Sequence, residues 1–256
     1  MLTIQAIPAF NDNYIWLIED PDTRRVLIVD PGDAAPVISA INQQKLLPVA
    51  ILITHHHYDH IAGLATLTEH YELPVYGPDT ESISGITHPL SEQPLLTVDP
   101  AFPAITVLDV PGHTTGHIAF LIDDCLFCGD TLFAAGCGRL LGGTAEQLFR
   151  SLQQITSLPI QTRIFCAHEY TEANLQFAAT VEPDNSDIQQ RIIDTAICRQ
   201  QDRPSLPSTL ATELATNPFL RCDQNKVIQS AQQFAGKKLL TPVDVFTALR
   251  AWKDDF

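Results

Sequence analysis

The sequence predicts an α/β protein with a sheet-rich N-terminal part and a helical C-terminal part. Up to about residue 166, short apolar runs rich in β-branched residues alternate with helical patterns and short connections. After residue 170, helical periodicity dominates and strand-like runs become scarce. Mixed strands and helices joined in this way are typical of a sheet covered by helices on its outside.

The apolar runs and periodic segments define the individual elements. The predicted strands are Leu2–Ala9, Tyr14–Ile18, Val26–Val29, Val49–Ile53, Val75–Tyr76, Leu95–Val98, Ile105–Val110, Ile118–Ile122, Cys125–Cys128 and Arg163–Cys166. The predicted helices are Ala34–Gln44, Ile61–His70, Thr144–Thr156, Ile188–Gln201, Lys226–Phe234 and Val243–Lys253. We therefore expect two domains, a sheet-rich domain over residues 1–170 and a helical domain over residues 171–256.

Composition narrows the class of protein. The chain has 256 residues, of which 45% are hydrophobic and 18% charged, as in an ordinary soluble enzyme with a sizeable core. No window is apolar enough for a membrane span, and the segment Met1–Ile7 predicts a first strand where a secreted protein would carry a leader. We expect no membrane partner and a cytoplasmic location.

The charge balance argues against nucleic-acid binding. Fifteen basic residues against thirty acidic ones give a formal net charge of −15, which repels polyanions. Of the six cysteines, Cys125 and Cys128 have C-x-x-C spacing, but they lie in an apolar run and no second such pair follows. Buried free thiols are therefore expected, not a cysteine metal site or a disulfide.

A histidine-rich segment directly follows the predicted strand Val49–Ile53. In extended chain, side chains alternate between faces, so His55, His57 and Asp59 project together while His56 points away. His60 falls where the chain turns into the next helix. Imidazole and carboxylate groups are the ligands that divalent metals such as zinc prefer. This spacing predicts a metal site at the exit of the strand.

Four motifs in sequence order carry a resemblance to a known family. His55-x-His57-x-Asp59-His60 resembles the signature of the metallo-β-lactamase superfamily, and three further segments resemble its later motifs: Pro111–His117, Cys128–Thr131 and Cys166–Thr171. Four narrower features are similar to glyoxalase II, the hydroxyacylglutathione hydrolases: Gly136–Arg139, His168–Thr171, Asn217–Arg221 and Arg250–Asp254. The resemblance implies a four-layer αββα sandwich followed by a small all-helical domain.

The resemblance also implies two divalent metal ions, with zinc as the first expectation and iron or manganese as alternatives. The implied ligands of one metal are His55, His57 and His113, and those of the other are Asp59, His60 and His168. Asp130 is the implied bridge. Two metals that share a water lower its pKa toward neutrality, so no serine or cysteine nucleophile is needed. Asp59 and Asp130 are the implied catalytic residues, with Asp59 orienting the water.

The implied reaction is hydrolysis of S-(2-hydroxyacyl)glutathione, chiefly S-D-lactoylglutathione, to glutathione and D-lactate, the second step of methylglyoxal detoxification. A thiolate leaves without much protonation because its conjugate thiol has a pKa of about 8.5. The implied glutathione-binding residues are Arg139, Tyr170, Arg250 and Lys253. Leu141 departs from the family, which often carries an aromatic residue there. We expect a monomer whose partner is a small-molecule thioester.

Three alternatives stay open at this point. A persulfide dioxygenase with one iron shares the ligand motif but lacks the extended helical tail, and a nuclease of the same superfamily conflicts with the acidic balance. A non-catalytic module with a structural metal conflicts with seven candidate ligands and open coordination positions.

Four polar residues near these motifs carry simpler expectations. His70 and His88 are expected on the surface, and His56 is expected to be packed or hydrogen-bonded. Asp30 either orients a ligand histidine or caps the Pro31-Gly32 turn.

Overall fold

The computed structural model describes residues 1–91 and 95–256, and the chain divides into two compact units. The N-terminal unit comprises Met1–Asp109 and Thr115–Gly129. The C-terminal unit comprises Val110–Thr114 and Asp130–Phe256. The division after residue 170 that the sequence predicts stays a prediction.

The N-terminal unit contains ten strands and three helices among the residues that the structure describes. The strands are β1 (Thr3–Ala9), β2 (Asn13–Asp20), β3 (Arg25–Val29), β4 (Leu47–Leu52), β5 (Val75–Pro78), β6 (His88–Leu90), β7 (Leu95–Leu96), β8 (Ile105–Asp109), β9 (Ile118–Ile122) and β10 (Cys125–Gly129). The helices are α1 (Ala34–Gln44), α2 (Tyr58–Ile61) and α3 (Leu64–Tyr71).

Strands β1 to β6 form one sheet in chain order. The pairs β1–β2 and β2–β3 are antiparallel, and the pairs from β3 to β6 are parallel. Strands β7 to β10 form consecutive antiparallel pairs. One face of the first sheet packs against α1 and α3 through Ile28, Ile51, Val37 and Leu67. Alternate residues such as Leu27 are buried on the other face, so water reaches neither side of these strands.

The helix predicted over Ile61–His70 is split in the structure, and this corrects the prediction. Helix α2 begins three residues earlier, at Tyr58, and α3 begins at Leu64. Gly63 separates them because its N–H donates to the carbonyl oxygen of Pro31 at 2.9 Å. A Cβ atom at Gly63 would lie only 2.4 Å from that oxygen, so the close approach requires glycine.

The C-terminal unit is mainly helical. Its helices are α4 (Ala145–Thr156), α5 (Thr171–Val181), α6 (Ser186–Arg199), α7 (Leu210–Thr216), α8 (Asn225–Ala235) and α9 (Pro242–Asp255), with a 3₁₀ turn at Pro218–Leu220. Its short strands are β11 (Leu132–Phe133), β12 (Gly136–Cys137), β13 (Arg163–Cys166) and β14 (Ser208–Thr209). In the described residues, no helix combines the length and apolar character of a membrane span.

Capping side chains fix the start of two of these helices. Thr144 and Gln147 form a reciprocal capping box at α4, and Thr241 and Asp244 do the same at α9. Helix α5 was missed by the sequence prediction because two positions on its buried face, Thr171 and Asn174, are polar, which weakens the apolar periodicity.

Glu213 on α7 is the centre of a buried polar network. Its carboxylate is fully buried and accepts hydrogen bonds from Arg191 at 2.6 Å, from the Ala135 N–H at 2.8 Å and from Asn217 at 3.1 Å. The Ser208 hydroxyl donates to it as well. Asn217 also donates to two backbone carbonyls of the β11–β12 hairpin. The network therefore ties α6 and α7 to this hairpin.

Replacing Glu213 with Ala should lower the free energy of unfolding by about 3–5 kcal/mol, because the Arg191 guanidinium would be left buried without its counterion. Urea denaturation measures this change. Glu69→Ala on the exposed surface of α3 is the control and should change stability by less than about 0.5 kcal/mol. If both variants lose the same small amount, the network does not hold the hairpin.

Candidate functional site

The predicted metal-binding residues of the N-terminal unit lie together after β4. The Nε2 atom of His55 is 3.0 Å from Nδ1 of His57, and Nε2 of His60 is 3.5 Å from Oδ2 of Asp59. The predicted alternation holds for His55, His56 and His57: His55 is buried, while His56 is exposed. It is wrong for Asp59, which lies in the first turn of α2 and not on an extended chain.

Asp30 orients this segment. Its buried carboxylate accepts hydrogen bonds from the Thr54 N–H at 2.8 Å and the Thr54 hydroxyl at 2.7 Å. The same carboxylate lies 3.0 Å from Nδ1 of His60. An acceptor at Nδ1 favours the tautomer whose Nε2 lone pair is available to a metal. Of the two expectations for Asp30, the structure supports the one in which it holds a histidine.

Two residues near these side chains were missed from sequence. Asn13 donates to Oδ2 of Asp59 at 2.8 Å and so fixes the direction of that carboxylate. Glu81 accepts from the His56 backbone N–H at 2.6 Å and lies 2.8 Å from its Nδ1. The expectation that His56 is hydrogen-bonded is thus confirmed. No local signal marks Asn13 or Glu81, because both contacts join segments far apart in the chain.

Two further histidines of the N-terminal unit, His70 and His88, behave as expected. His70 and His88 are exposed. His117 is buried and stacks on His55, with ring centroids 4.5 Å apart and an angle of 20° between the planes. This stacking fixes the orientation of the His55 ring.

The C-terminal unit presents a second group of donors, His113, Asp130 and His168, all of them buried. Oδ1 of Asp130 is 3.3 Å from Nε2 of His168, and Oδ2 is 3.5 Å from Nε2 of His113. Each carboxylate oxygen therefore faces a different imidazole, as a bridging ligand requires. Nδ1 of His113 lies 2.7 Å from the Arg139 carbonyl oxygen, which accepts its proton and leaves Nε2 toward Asp130.

The glycine-rich loop that follows β12, residues 138–143, packs directly against these donors. A Cβ atom at Gly138 would lie 2.0 Å from the Asp130 carbonyl oxygen and 3.1 Å from Nδ1 of His113. Only glycine therefore lets the loop approach the donors closely enough for the Arg139 carbonyl to reach His113.

A cavity of about 790 Å³ opens beside the donors of the C-terminal unit. His113 and Asp130 lie in its wall, and so do the four residues expected to bind glutathione, Arg139, Tyr170, Arg250 and Lys253. Tyr170 stacks on His168 with ring centroids 4.7 Å apart. Leu141, where the family pattern differs, also lines the cavity and is exposed.

The two basic residues of α9 have different environments. Arg250 is 4% exposed; it donates to the Cys137 carbonyl oxygen at 2.9 Å and to Asp254 at 3.0 Å. It therefore braces the start of the glycine-rich loop. The Lys253 ammonium lies over the rings of Phe177 and Phe256 at 5.4 and 5.2 Å. Burial, with the nearby arginine charges second, lowers the pKa of Lys253.

The cysteines are free thiols, as predicted for Cys125 and Cys128. Burial raises the pKa of Cys137 to about 11 and that of Cys166 to about 12. Cys198 is the one cysteine that is not buried. The raised pKa values keep the Cys137 and Cys166 thiols protonated, which does not suit a nucleophile.

Two family models cover the chain from residue 9 to its end. Residues 9–168 match the metallo-β-lactamase superfamily, and residues 169–256 match the hydroxyacylglutathione hydrolase C-terminus. A hydroxyacylglutathione hydrolase of Nitrosomonas europaea is 50% identical over 256 residues, covering 100% of this chain and 97% of the relative. The chain belongs to the hydroxyacylglutathione hydrolase family. A hydroxyacylglutathione hydrolase of Alkalilimnicola ehrlichii is 51% identical, covering 99% of this chain and 99% of the relative.

Solved structures support the fold of this hydroxyacylglutathione hydrolase family member. ETHE1 from Myxococcus xanthus matches with a TM-score of 0.66 at 22% identity, over 99% of this chain and 98% of that one. The B3 metallo-β-lactamase BLEG-1 matches with a TM-score of 0.65 at 24% identity, over 86% and 99%. With the two family models, these matches confirm the predicted metallo-β-lactamase fold and the helical C-terminal part.

Thiol labelling tests whether Cys137, in the wall of the cavity, is buried. At pH 8, one thiol per folded chain should react quickly with a disulfide reagent, and Cys198→Ser should abolish that fast phase. A thiol whose pKa is about 11 is ionised to only about one part in a thousand at this pH, and the thiolate is the reactive form. Fast labelling of Cys137 in the folded protein would show that its burial is wrong.

Proposed function

We propose that this protein is a binuclear metal-dependent thioester hydrolase that converts S-(2-hydroxyacyl)glutathione to glutathione and a 2-hydroxy acid. S-D-lactoylglutathione is the chief substrate, and D-lactate is its product. The observation that carries the proposal is Asp130, whose two oxygens face different histidines beside a cavity lined by basic side chains. Family membership over the full chain supports the same reaction.

The donors fit divalent metals. We propose His55, His57 and His113 as ligands of one metal, Asp59, His60 and His168 as ligands of the second, and Asp130 as the bridge. The tautomers support this, since Asp30 and the Arg139 carbonyl oxygen occupy the Nδ1 sides of His60 and His113. Nitrogen and oxygen donors without a thiolate suit zinc, and iron or manganese can take the same ligands.

When bound, the two metals lower the pKa of a shared water and offset negative charge on the thioester carbonyl oxygen. The protein's own contribution is to fix the carboxylates. Asn13 holds Asp59 in one direction, which supports a role for Asp59 in orienting the attacking water. A thiolate leaving group with a conjugate pKa of about 8.5 makes a dedicated general acid unnecessary.

We propose that the cavity holds the glutathione part of the substrate. Arg139 and Lys253 offer charges to its carboxylates in a chain whose net charge is −15. Tyr170, stacked on His168, lines the same cavity. Arg250 is proposed to act chiefly by bracing the loop that carries Arg139. We propose that residues 1–170 form the catalytic domain and residues 171–256 the glutathione-binding domain.

The proposed setting is a cytoplasmic monomer. Six free cysteines are typical of a reducing compartment, where disulfides do not persist. Gel filtration with light scattering measures the molar mass directly. A mass of about 28 kDa supports the monomer, and twice that value contradicts it.

Kinetic assays test the proposed reaction. Metal-replete protein should release free thiol from S-D-lactoylglutathione, and elemental analysis of the same sample should give two metal ions per chain. Oxygen uptake with glutathione persulfide is the counter-assay, and it should stay at background. Oxygen uptake with one iron per chain, and no thioester hydrolysis, would instead establish a persulfide dioxygenase.

A pair of neighbouring histidines separates metal ligands from packing residues. His57→Ala should lose metal and lower kcat/KM by at least about 100-fold, because even residues that only support a ligand cost 10–100-fold. His56→Ala is the matched control: it loses the contact to Glu81 but should keep both metals and most activity. Elemental analysis after dialysis measures the difference. Equal metal loss in both variants would contradict the ligand assignment.

A further inference from the structure

Besides Asp130 among the donor residues, one carboxylate lies beside the basic residues of this cavity in the C-terminal unit, that of Asp254. Its Oδ1 atom is 3.0 Å from a terminal nitrogen of Arg250 and 3.6 Å from Nε of Arg139. The Asp254 side chain is 44% exposed and the Arg139 side chain 70%, whereas that of Arg250 is 5% exposed. Asp254 therefore joins one buried cation to one that faces the cavity.

The helix itself does not favour this aspartate. Asp254 is the second-last residue of α9, where the helix dipole disfavours a negative charge. The i,i+4 pair with Arg250 also has the basic residue first, the weaker order for a helical ion pair. Asp254 is the counterion of the buried Arg250 guanidinium, but its exposed position beside Arg139 also suits a positive group in the ligand.

We propose that Asp254 and Arg139 together recognise an α-amino-acid group, with Asp254 accepting from the ammonium and Arg139 donating to the carboxylate. The ammonium and the carboxylate are bonded to the same carbon atom of the ligand, so the protein groups that bind them must lie close together. The 3.6 Å separation of Nε and Oδ1 meets that requirement. Without a ligand, the two side chains neutralise each other, and a zwitterion exchanges this pair for two intermolecular ones.

The inference rests on the proposed function, because the γ-glutamyl end of glutathione carries such a group. The charges also match. Apart from Asp130 among the donor residues, the charged lining consists of Arg139, Arg250, Lys253 and Asp254. It has three positive charges and one negative charge, opposite a ligand with two carboxylates and one ammonium. Asp254 would then be a specificity-determining residue, selecting against dicarboxylates that lack the amine.

Asp254→Asn separates this role from simple support of Arg250, because Asn keeps a side-chain oxygen that Arg250 can donate to. Binding of glutathione and of N-acetylglutathione is measured by calorimetry, and kcat/KM is measured for the two lactoyl thioesters. Wild type should prefer the free amine about tenfold, the size of one partly exposed charge-assisted hydrogen bond. In Asp254→Asn that preference should vanish, through weaker binding of the amine, with the metal content unchanged.

Asp255→Asn is the matched control, since Asp255 is the exposed neighbour and is not part of the cavity wall; it should keep the wild-type preference. An equal loss for both ligands would show that Asp254 only positions Arg250. A gain for both would show that Asp254 only competes with substrate carboxylates. Either result overturns the inference. An amine preference in binding without thioester hydrolysis would overturn the proposed reaction but not the role of Asp254.

Discussion

The histidine segment depends on one buried anion, Asp30, whose backbone has a φ of +50°. Its carboxylate is satisfied by Thr54 at the start of the segment and by His60 at its end, which fixes both ends relative to the same group. The turn that follows Asp30 lies against α2: a Cβ atom at Gly32 would be 1.8 Å from the Asp59 carbonyl oxygen. The strained turn and the histidine segment therefore form one packed element.

In the C-terminal unit, a backbone carbonyl oxygen orients a donor histidine, as the Asp30 carboxylate does in the N-terminal unit. The Arg139 carbonyl oxygen fixes the tautomer of His113, while the Arg139 side chain faces the cavity. Arg250 donates to the Cys137 carbonyl oxygen just before this loop, and Glu213 accepts from the Ala135 N–H in the preceding hairpin. These two contacts fix the position of the loop. A change in the helices that displaces the loop would thus alter a donor histidine and a basic residue of the cavity together.

Local sequence signals predicted many of the elements. Helix α1, strand β9 and strand β13 match their predicted bounds, whereas α5, α7 and the short strands β6, β11, β12 and β14 were missed. The assignment of the seven donor residues as metal ligands came from the family resemblance and stays a prediction. Sequence offered Asp30 as a partner of a histidine only as one of two alternatives, and it missed the other long-range partners. Asn13 and Asp59 are 46 residues apart, and Glu213 meets Ala135 across 78. Such contacts depend on tertiary packing and leave no periodic or spacing signal.

The sequence also did not predict how exposed individual side chains are. Arg250 and Lys253 are three apart on one helix, which predicts a shared face, yet Arg250 is buried beneath the loop and Lys253 lies on aromatic rings. A helical wheel does not distinguish a cation that meets a ligand from one that braces a loop. The difference comes from where the backbone carbonyls of residues 137 and 138 lie.

In the proposed site, the single carboxylate of Asp130 is shared by two metals. Calorimetric titration of chelator-stripped wild type and Asp130→Ala with zinc tests this sharing most directly. We expect wild type to bind two equivalents, and the variant to bind both equivalents more weakly and to lose nearly all hydrolysis. Loss of one equivalent while the other keeps its wild-type affinity would contradict a shared ligand, and so would wild-type binding of both.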